Sequence, residues 1–184
     1  MKWVKQSIHY WCPDTQEHKF LGQNVTVAIL DTGISPHPDF KDRILSFRDF
    51  SSTTGSSEKV LFSFSHFSPL IDNSGHGTHV AGILAGSGLL SSGAYAGIAP
   101  FCNLIIGKIL DQNGNGSIKN VINGIQWIRD IYTQFHIRII NISVGTRPDL
   151  SIHQKLLLLH AVESLWDLGL VVVVSAGNYG PAPG

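Results

Sequence analysis

Charged side chains are scarce in this chain. Only 14% of its 184 residues are Asp, Glu, Lys or Arg, against roughly a quarter in an ordinary soluble domain. The thirteen basic residues balance the thirteen acidic ones. With no net charge there is no electrostatic footprint for nucleic acid or for an anionic membrane, and neither is expected as a partner. Cysteine is nearly absent: Cys12 and Cys102 stand far apart and neither belongs to a Cys-x-x-Cys pair. A disulfide-dense scaffold is thereby excluded and no zinc pattern is present, while the sequence leaves open whether the two cysteines pair. The N-terminus, Met1-Lys-Trp-Val-Lys-Gln-Ser-Ile-His-Tyr10, carries positive charge with no apolar run behind it, so no secretory signal peptide is read and a cytoplasmic protein is expected. The most apolar stretch, Leu156 to Val174, is interrupted by His160, Glu163, Asp167 and Gly169, a set that a bilayer span tolerates poorly. No internal repeat appears at a period of roughly 20–50 residues.

Apolar surface, in contrast, is plentiful. A hydrophobic content of 43% offsets the conformational entropy lost on ordering, so the chain should bury a real core rather than stay disordered. Its length suits one domain or most of one. Val25 to Leu30 (VTVAIL) is a short apolar run ending in Asp31-Thr-Gly, which reads as a buried strand handing over to a turn. Similar runs recur at Leu104 to Leu110, Ile137 to Val144 and Val171 to Ser175, each too continuous for a strand with one wet face, so each wants cover on both sides. Between them lie helical patterns: Val121, Ile125, Ile128 and Tyr132 share one face after Ser117, and Leu156, Leu159, Val162 and Trp166 share another. Strand and helix alternate, which predicts an α/β fold with a mainly parallel sheet and helices on both faces. Ser51 to Ser57 and Gly86 to Gly97 read as polar surface loops, neither long enough for a domain linker. Residues 1–24 read as a lead-in and residues 25–184 as the body.

In open α/β sheets the ligand crevice lies outside the carboxyl ends of the strands, where Asp31 is expected. Asp31 is either a site acid or a turn residue bonded to its own backbone. In Asp72-Asn-Ser-Gly-His-Gly-Thr-His-Val-Ala-Gly-Ile-Leu-Ala-Gly86, His76 stands between two glycines at the apparent start of a helix. A histidine so placed can lend one ring nitrogen to a nucleophile while a carboxylate such as Asp31 holds the other. The alternatives are a helix-start histidine without chemistry, or His76 and His79 facing a metal; no Glu accompanies them as in His-Glu-x-x-His.

Ile29-Leu-Asp31-Thr-Gly-Ile, Gly75-His76-Gly-Thr-His-Val-Ala-Gly82 and Ser175-Ala-Gly-Asn178, in that order, resemble the subtilisin-like serine proteases. Pro36 to Phe40, Gly97 to Pro100 and Asn141 to Gly145 are similar to further segments of the same family. The resemblance implies the three-layer subtilisin-like fold and a serine endopeptidase with an Asp-His-Ser triad. Asp31 would then orient the imidazole, His76 would serve as general base and then general acid, and Asn178 would donate its amide to the oxyanion. By itself Asn178 also suits a left-handed turn after a strand. Ser143, Val144 and Gly145 would line the primary specificity pocket, and Gly114, Asn115 and Gly116 would pair with the other side of a peptide bound in extended form. Thr146 departs from the family's more usual glycine. Residues Ser35 to Asp39 and Gly93 to Tyr95 look like the bacterial intracellular-type branch.

No cofactor is expected. Asp111 to Gly116 mimics the opening of an EF-hand loop, but position twelve is Ile122 and the preceding residues read as a strand, so EF-hand calcium is discarded. Asp39 matches a calcium ligand of some subtilases, and a surface-loop aspartate is the simpler reading, leaving structural calcium unsupported. The Gly-Thr-Ser segment that carries the family's nucleophile is not found; Ser74, Ser143 and Ser175 lie in blocks with other roles. The chain is therefore expected to be an N-terminal part of a longer protease, inactive alone. Two rival readings remain: an aspartic protease built on Asp31-Thr-Gly33, which would leave His76 unused, and a peptide-binding module of the same fold without catalysis.

Overall fold

The computed structural model describes residues 2–10, 20–51, 72–145 and 150–177. Strands β1 (Thr26–Asp31), β2 (Ile44–Asp49), β3 (Asn103–Lys108), β4 (Ile137–Ile142) and β5 (Val171–Val174) form one sheet in the order β2-β3-β1-β4-β5. Every pairing is parallel. Four strands are legible as apolar runs. β2 is not, because Ser46, Arg48 and Asp49 break its pattern; it is held by pairing with β3 and by burial of Ile44 and Phe47.

All six residues of β1 are buried, and its two faces explain why the run is continuously apolar. Val27 and Ile29 join Leu104 and Ile106 of β3 in one cluster with Ala81 and Ala85 of helix α2 (His76–Ala85). Ala28 and Leu30 join Ile105 and Ile140 in a second cluster with Val121, Ile125 and Ile128 of helix α3 (Ile118–Ile131). Helices thus cover both faces, and each strand side chain of the size of Ile29 or Leu30, fully sealed, stabilises by about 1.5–3 kcal/mol. Helix α3 starts where Ser117 accepts a hydrogen bond from the Asn120 N–H at 3.1 Å.

Two expectations need correction. Helix α4 (Ile152–Trp166) is capped by a reciprocal Ser151 and Gln154 pair, but it does not bury the face Leu156, Leu159, Val162, Trp166. Leu165 is its one fully sealed residue, with Leu158, Ala161 and Val162 packed beside it, while Leu156 and Leu159 are about half exposed and Trp166 is 69% exposed. Four consecutive leucines, Leu156 to Leu159, make the helix apolar nearly all round, so periodicity does not define a face and packing against α3 decides it. The second correction concerns β5. Val171, Val173 and Val174 are exposed, because α4 packs against the side of Val172 and no other described segment covers the strand.

Near the N-terminus, a short helix α1 (Lys2–Ser7) leads to Tyr10, which is buried and donates its hydroxyl to the Ile98 carbonyl at 2.9 Å. Cys102, at the entry to β3, is fully buried, and burial pushes its thiol up to about 11. Native protein should therefore leave Cys102 unmodified by iodoacetamide at pH 8 and release it to the reagent in denaturant, as read by peptide mass; labelling of Cys102 at equal rates in both states would contradict this packing.

Candidate active site

Asp31 is the last residue of the central strand and is fully buried. Its carbonyl accepts from the Ile109 and Leu110 N–H groups at 2.9 and 3.2 Å, which fixes the backbone just beyond the sheet. The carboxylate oxygen Oδ1 accepts from the Thr32 N–H at 2.7 Å and lies 2.7 Å from His76 Nδ1. An ionised carboxylate can only accept, so Nδ1 carries the ring proton and Nε2 is left as an acceptor. Oδ2 is buried with no hydrogen-bond partner among the described residues. The dyad is asymmetric in solvent as well: the Asp31 side chain is 0% exposed and the His76 side chain 51%.

His76 opens α2, and the glycines around it have separate reasons. Gly75, the N-cap residue, has φ of 85°, a left-handed conformation that an L side chain rarely adopts. Any Cβ on Gly77 would run into the Gly33 carbonyl, so the first turn of α2 rests directly on the backbone that follows β1. No side chain within α2 caps its start. The N–H groups are satisfied from outside: Gly77 N–H donates to Thr32 Oγ1 at 2.9 Å, and Thr78 N–H to Asp72 Oδ2 at 2.8 Å. Asp72 is only 5% exposed. Neither Thr32 nor Asp72 was singled out from sequence. The available signal was an acidic residue just ahead of a helix start, which usually means no more than a cap.

The walls expected on either side of a peptide come together. Gly114, Asn115 and Gly116, after β3, and Ser143, Val144 and Gly145, after β4, line one open groove of about 710 Å³ with His76, Thr32 and Ser74. An adjoining hollow of about 460 Å³ runs from Val144 and Gly145 to Ser175, Ala176 and Gly177. Ser175 Oγ, after β5, donates to the Val144 carbonyl, after β4, at 2.9 Å, and at the end of β4 the Asn141 amide donates to Ser143 Oγ at 2.6 Å. Asn178 and Thr146 lie outside the described residues, as does Cys12.

The metal alternatives fare differently. His79 lines a separate hollow with His37 and Asp39, away from the groove that His76 lines. Among the described residues no three or more His, Cys, Asp or Glu side chains gather as a metal site. Asp111 spends its Oδ1 on the Asn113 and Asn115 N–H groups, at 2.8 and 2.9 Å, closing its own loop. At Asp39, the carboxylate accepts from the Gly88 and Leu90 N–H groups at 2.9 and 3.4 Å. The nearby carbonyls of Asp39, Ala85 and Cys102 all converge on the Arg43 guanidinium. Hydrogen-bond donors thus reach both carboxylate oxygens of Asp39 and the three carbonyls beside it.

This parallel sheet, with a carboxylate and an imidazole joined above its carboxyl edge, defines the class. The subtilase family matches residues 22–183, and the chain belongs to it. It is 42% identical over 165 residues to the serine protease AprX of Bacillus subtilis strain 168, covering 87% of this chain and 34% of that protein. It is 36% identical to the major intracellular serine protease of the same organism, covering 86% of this chain and 44% of the relative. The solved structure of sphericase superposes with a TM-score of 0.71 at 29% identity, over 88% of this chain and 48% of that one. The chain thus spans between a third and a half of the length of these relatives.

Burial alone would raise the Asp72 carboxyl, but hydrogen bonds from the Thr78 hydroxyl and N–H, the Gly75 N–H and the Thr32 hydroxyl outweigh it and hold the group below its ordinary value of 3.8. A folded value lowered in this way adds stability that is complete above the unfolded value, about pH 4, and is lost as pH falls through the folded one. Asp72→Asn should accordingly lower the urea midpoint at pH 7, with the gap from the parent narrowing below pH 4. Parallel midpoint curves from pH 7 to pH 2 would refute that contribution.

Proposed function

We propose that this chain supplies the acid and base of a serine endopeptidase that works through an acyl-enzyme. The observation that carries the reading is the 2.7 Å contact between His76 Nδ1 and a fully buried Asp31 oxygen, at the rim of a groove with backbone on both walls. Similarity to the serine protease AprX and to an intracellular serine protease supports it. An aspartic protease would need a second carboxylate sharing a proton with Asp31, whereas Asp31 is engaged with an imidazole.

In this reading His76 Nε2 takes the proton of a serine hydroxyl as the oxygen attacks the scissile carbonyl carbon. Asp31 keeps the ring in the Nδ1–H tautomer and stabilises the imidazolium that forms. The proton then passes to the leaving amine as the C–N bond breaks. Water repeats the cycle on the ester, returning the proton to the serine oxygen. Asn178 is proposed to donate its side-chain N–H to the oxyanion. Residues 1–184 contain no Gly-Thr-Ser segment of the kind expected to carry the family's nucleophile, so the nucleophile is proposed to be a serine outside them, and residues 1–184 alone are proposed to be inactive.

Gly114 to Gly116 and Ser143 to Gly145 would bind a peptide as an added strand, through main-chain hydrogen bonds that tolerate many side chains. Among the described residues no helix is long and apolar enough to cross a membrane. A relative named intracellular and one named extracellular match this chain at 36% and 35% identity, so similarity does not choose a compartment.

The test uses the full-length gene product. The parent should cleave casein and react covalently with a fluorophosphonate, and His76→Ala should lower kcat/KM by roughly 10⁴-fold or more while keeping the thermal midpoint. A His76→Ala variant that cleaves casein as fast as the parent would sink the assignment. A parent that binds extended peptides but neither cleaves nor labels would favour the non-catalytic binding module.

Calcium is left out of this machinery on the chemistry at Asp39. Addition of millimolar calcium after chelation should not move the thermal midpoint through this corner, so Asp39→Asn and the parent should respond alike. A calcium response present in the parent and lost in Asp39→Asn would restore the ion to that site.

A further inference from the structure

His76 and Asp31 are brought together from segments 45 residues apart, and the backbone between the two segments has to be held by something. The residues adjoining the pair show what does so. Thr32 follows Asp31 in sequence, and Gly75 and Gly77 flank His76. Asp72 Oδ1 accepts from the Thr32 hydroxyl at 2.8 Å and from the Gly75 N–H at 2.8 Å. The same Thr32 hydroxyl oxygen accepts from the Gly77 N–H at 2.9 Å. Both neighbours of the imidazole and the neighbour of the carboxylate therefore hang on one buried node. Asp72 Oδ2 secures it further through the Thr78 N–H at 2.8 Å and the Thr78 hydroxyl at 2.5 Å.

The node requires a carboxylate. Its two oxygens take donors only, so the Thr32 hydroxyl has to point its single proton at Asp72, which turns a lone pair toward Gly77. A neutral amide in place of Asp72 would turn N–H groups on the N–H and O–H of Thr78 or on the Thr32 hydroxyl. Thr32 is 1% exposed and Asp72 5%, so water does not compete for these bonds.

We infer that Asp72, acting through the Thr32 hydroxyl, is a positioning residue that sets the separation and ring orientation of the Asp31 and His76 pair. Neither side chain is assigned contact with substrate; each acts on the pair through backbone N–H groups. The kinetic consequence rests on the serine-peptidase reading, but the positional one does not.

The experiment reads both, on the full-length gene product with its histidines labelled with nitrogen-15. The Nδ1 proton of His76, shared with a buried carboxylate, gives a far-downfield resonance, which His76→Ala assigns by its loss. Thr32→Val, which keeps shape and loses both hydroxyl bonds, should shift or broaden that resonance, and Thr32→Ser, which keeps the hydroxyl, should restore it. Thr32→Val should also lower kcat by about 10–100-fold, as a small misplacement of a reacting group does, with KM within about twofold of the parent. Should Thr32→Val fail to fold, Asp72→Asn gives the same reading. An unshifted resonance together with parental kcat in a folded variant overturns the inference. If the resonance shifts as expected while parent and variants are all inert toward peptides, the positioning role stands and the peptidase reading falls.

Discussion

Everything at the site follows from placing an ionisable carboxylate, fully sealed, at the end of the most buried strand of the sheet. Removing such a charge from water costs several kcal/mol unless close partners replace the lost solvation. Among the described residues, only Oδ1 of Asp31 is hydrogen-bonded, by the Thr32 N–H and the His76 ring, and Oδ2 finds no partner. The imidazole is therefore the side-chain partner that makes the burial tolerable. The half-exposed ring at the groove carries the effect of that buried charge to the surface.

Strand order then determines what stands around the pair. With β1 in the middle, β3 and β4 flank it, and their carboxyl ends open into the loops Gly114 to Gly116 and Ser143 to Gly145. Because α2 covers one face while α3 and α4 cover the other, the chain changes sides about β1. The groove falls at that change, the usual place for ligands in such sheets. Helix α2 has to reach back over the end of β1, and the missing side chain at Gly77 allows the approach. The place of the groove is thus a result of topology before any side chain is chosen.

Legibility in the sequence tracked the kind of force involved. β1, β3 and β4 could be read because burial on both faces leaves an unbroken apolar run, and α3 because one face alone is apolar. β2 could not, since it owes its place to pairing with β3. Four adjacent leucines carry no phase, so the buried face of α4 is not legible, and the apolar run of β5 predicts cover on both sides where the described residues give it on only one. Periodicity is silent about contacts between distant segments, so the nearness of Asp31 and His76 rested on resemblance to a family. Thr32 and Asp72 resemble ordinary turn and cap residues in a one-dimensional pattern. Their importance arises only when two turns meet.

That meeting has a cost in independence. The hydrogen bonds that satisfy the start of α2 also hold the pair: the Gly77 N–H donates to Thr32 Oγ1, and the Thr32 hydroxyl, the Gly75 N–H and the Thr78 N–H donate to Asp72, so cap and site are one structure. Local stability and geometry of the dyad cannot be tuned separately, because any group that fails to accept from both Thr32 and Thr78 leaves buried donors unpaired. Protonation of Asp72 does the same from solution, adding a donor where five donors already converge. Protonation of Asp72 therefore loosens the seating of His76 through the same bonds that cap α2. The clusters on the two faces of the sheet are apolar, whereas the corner that seats the imidazole depends on the Asp72 charge.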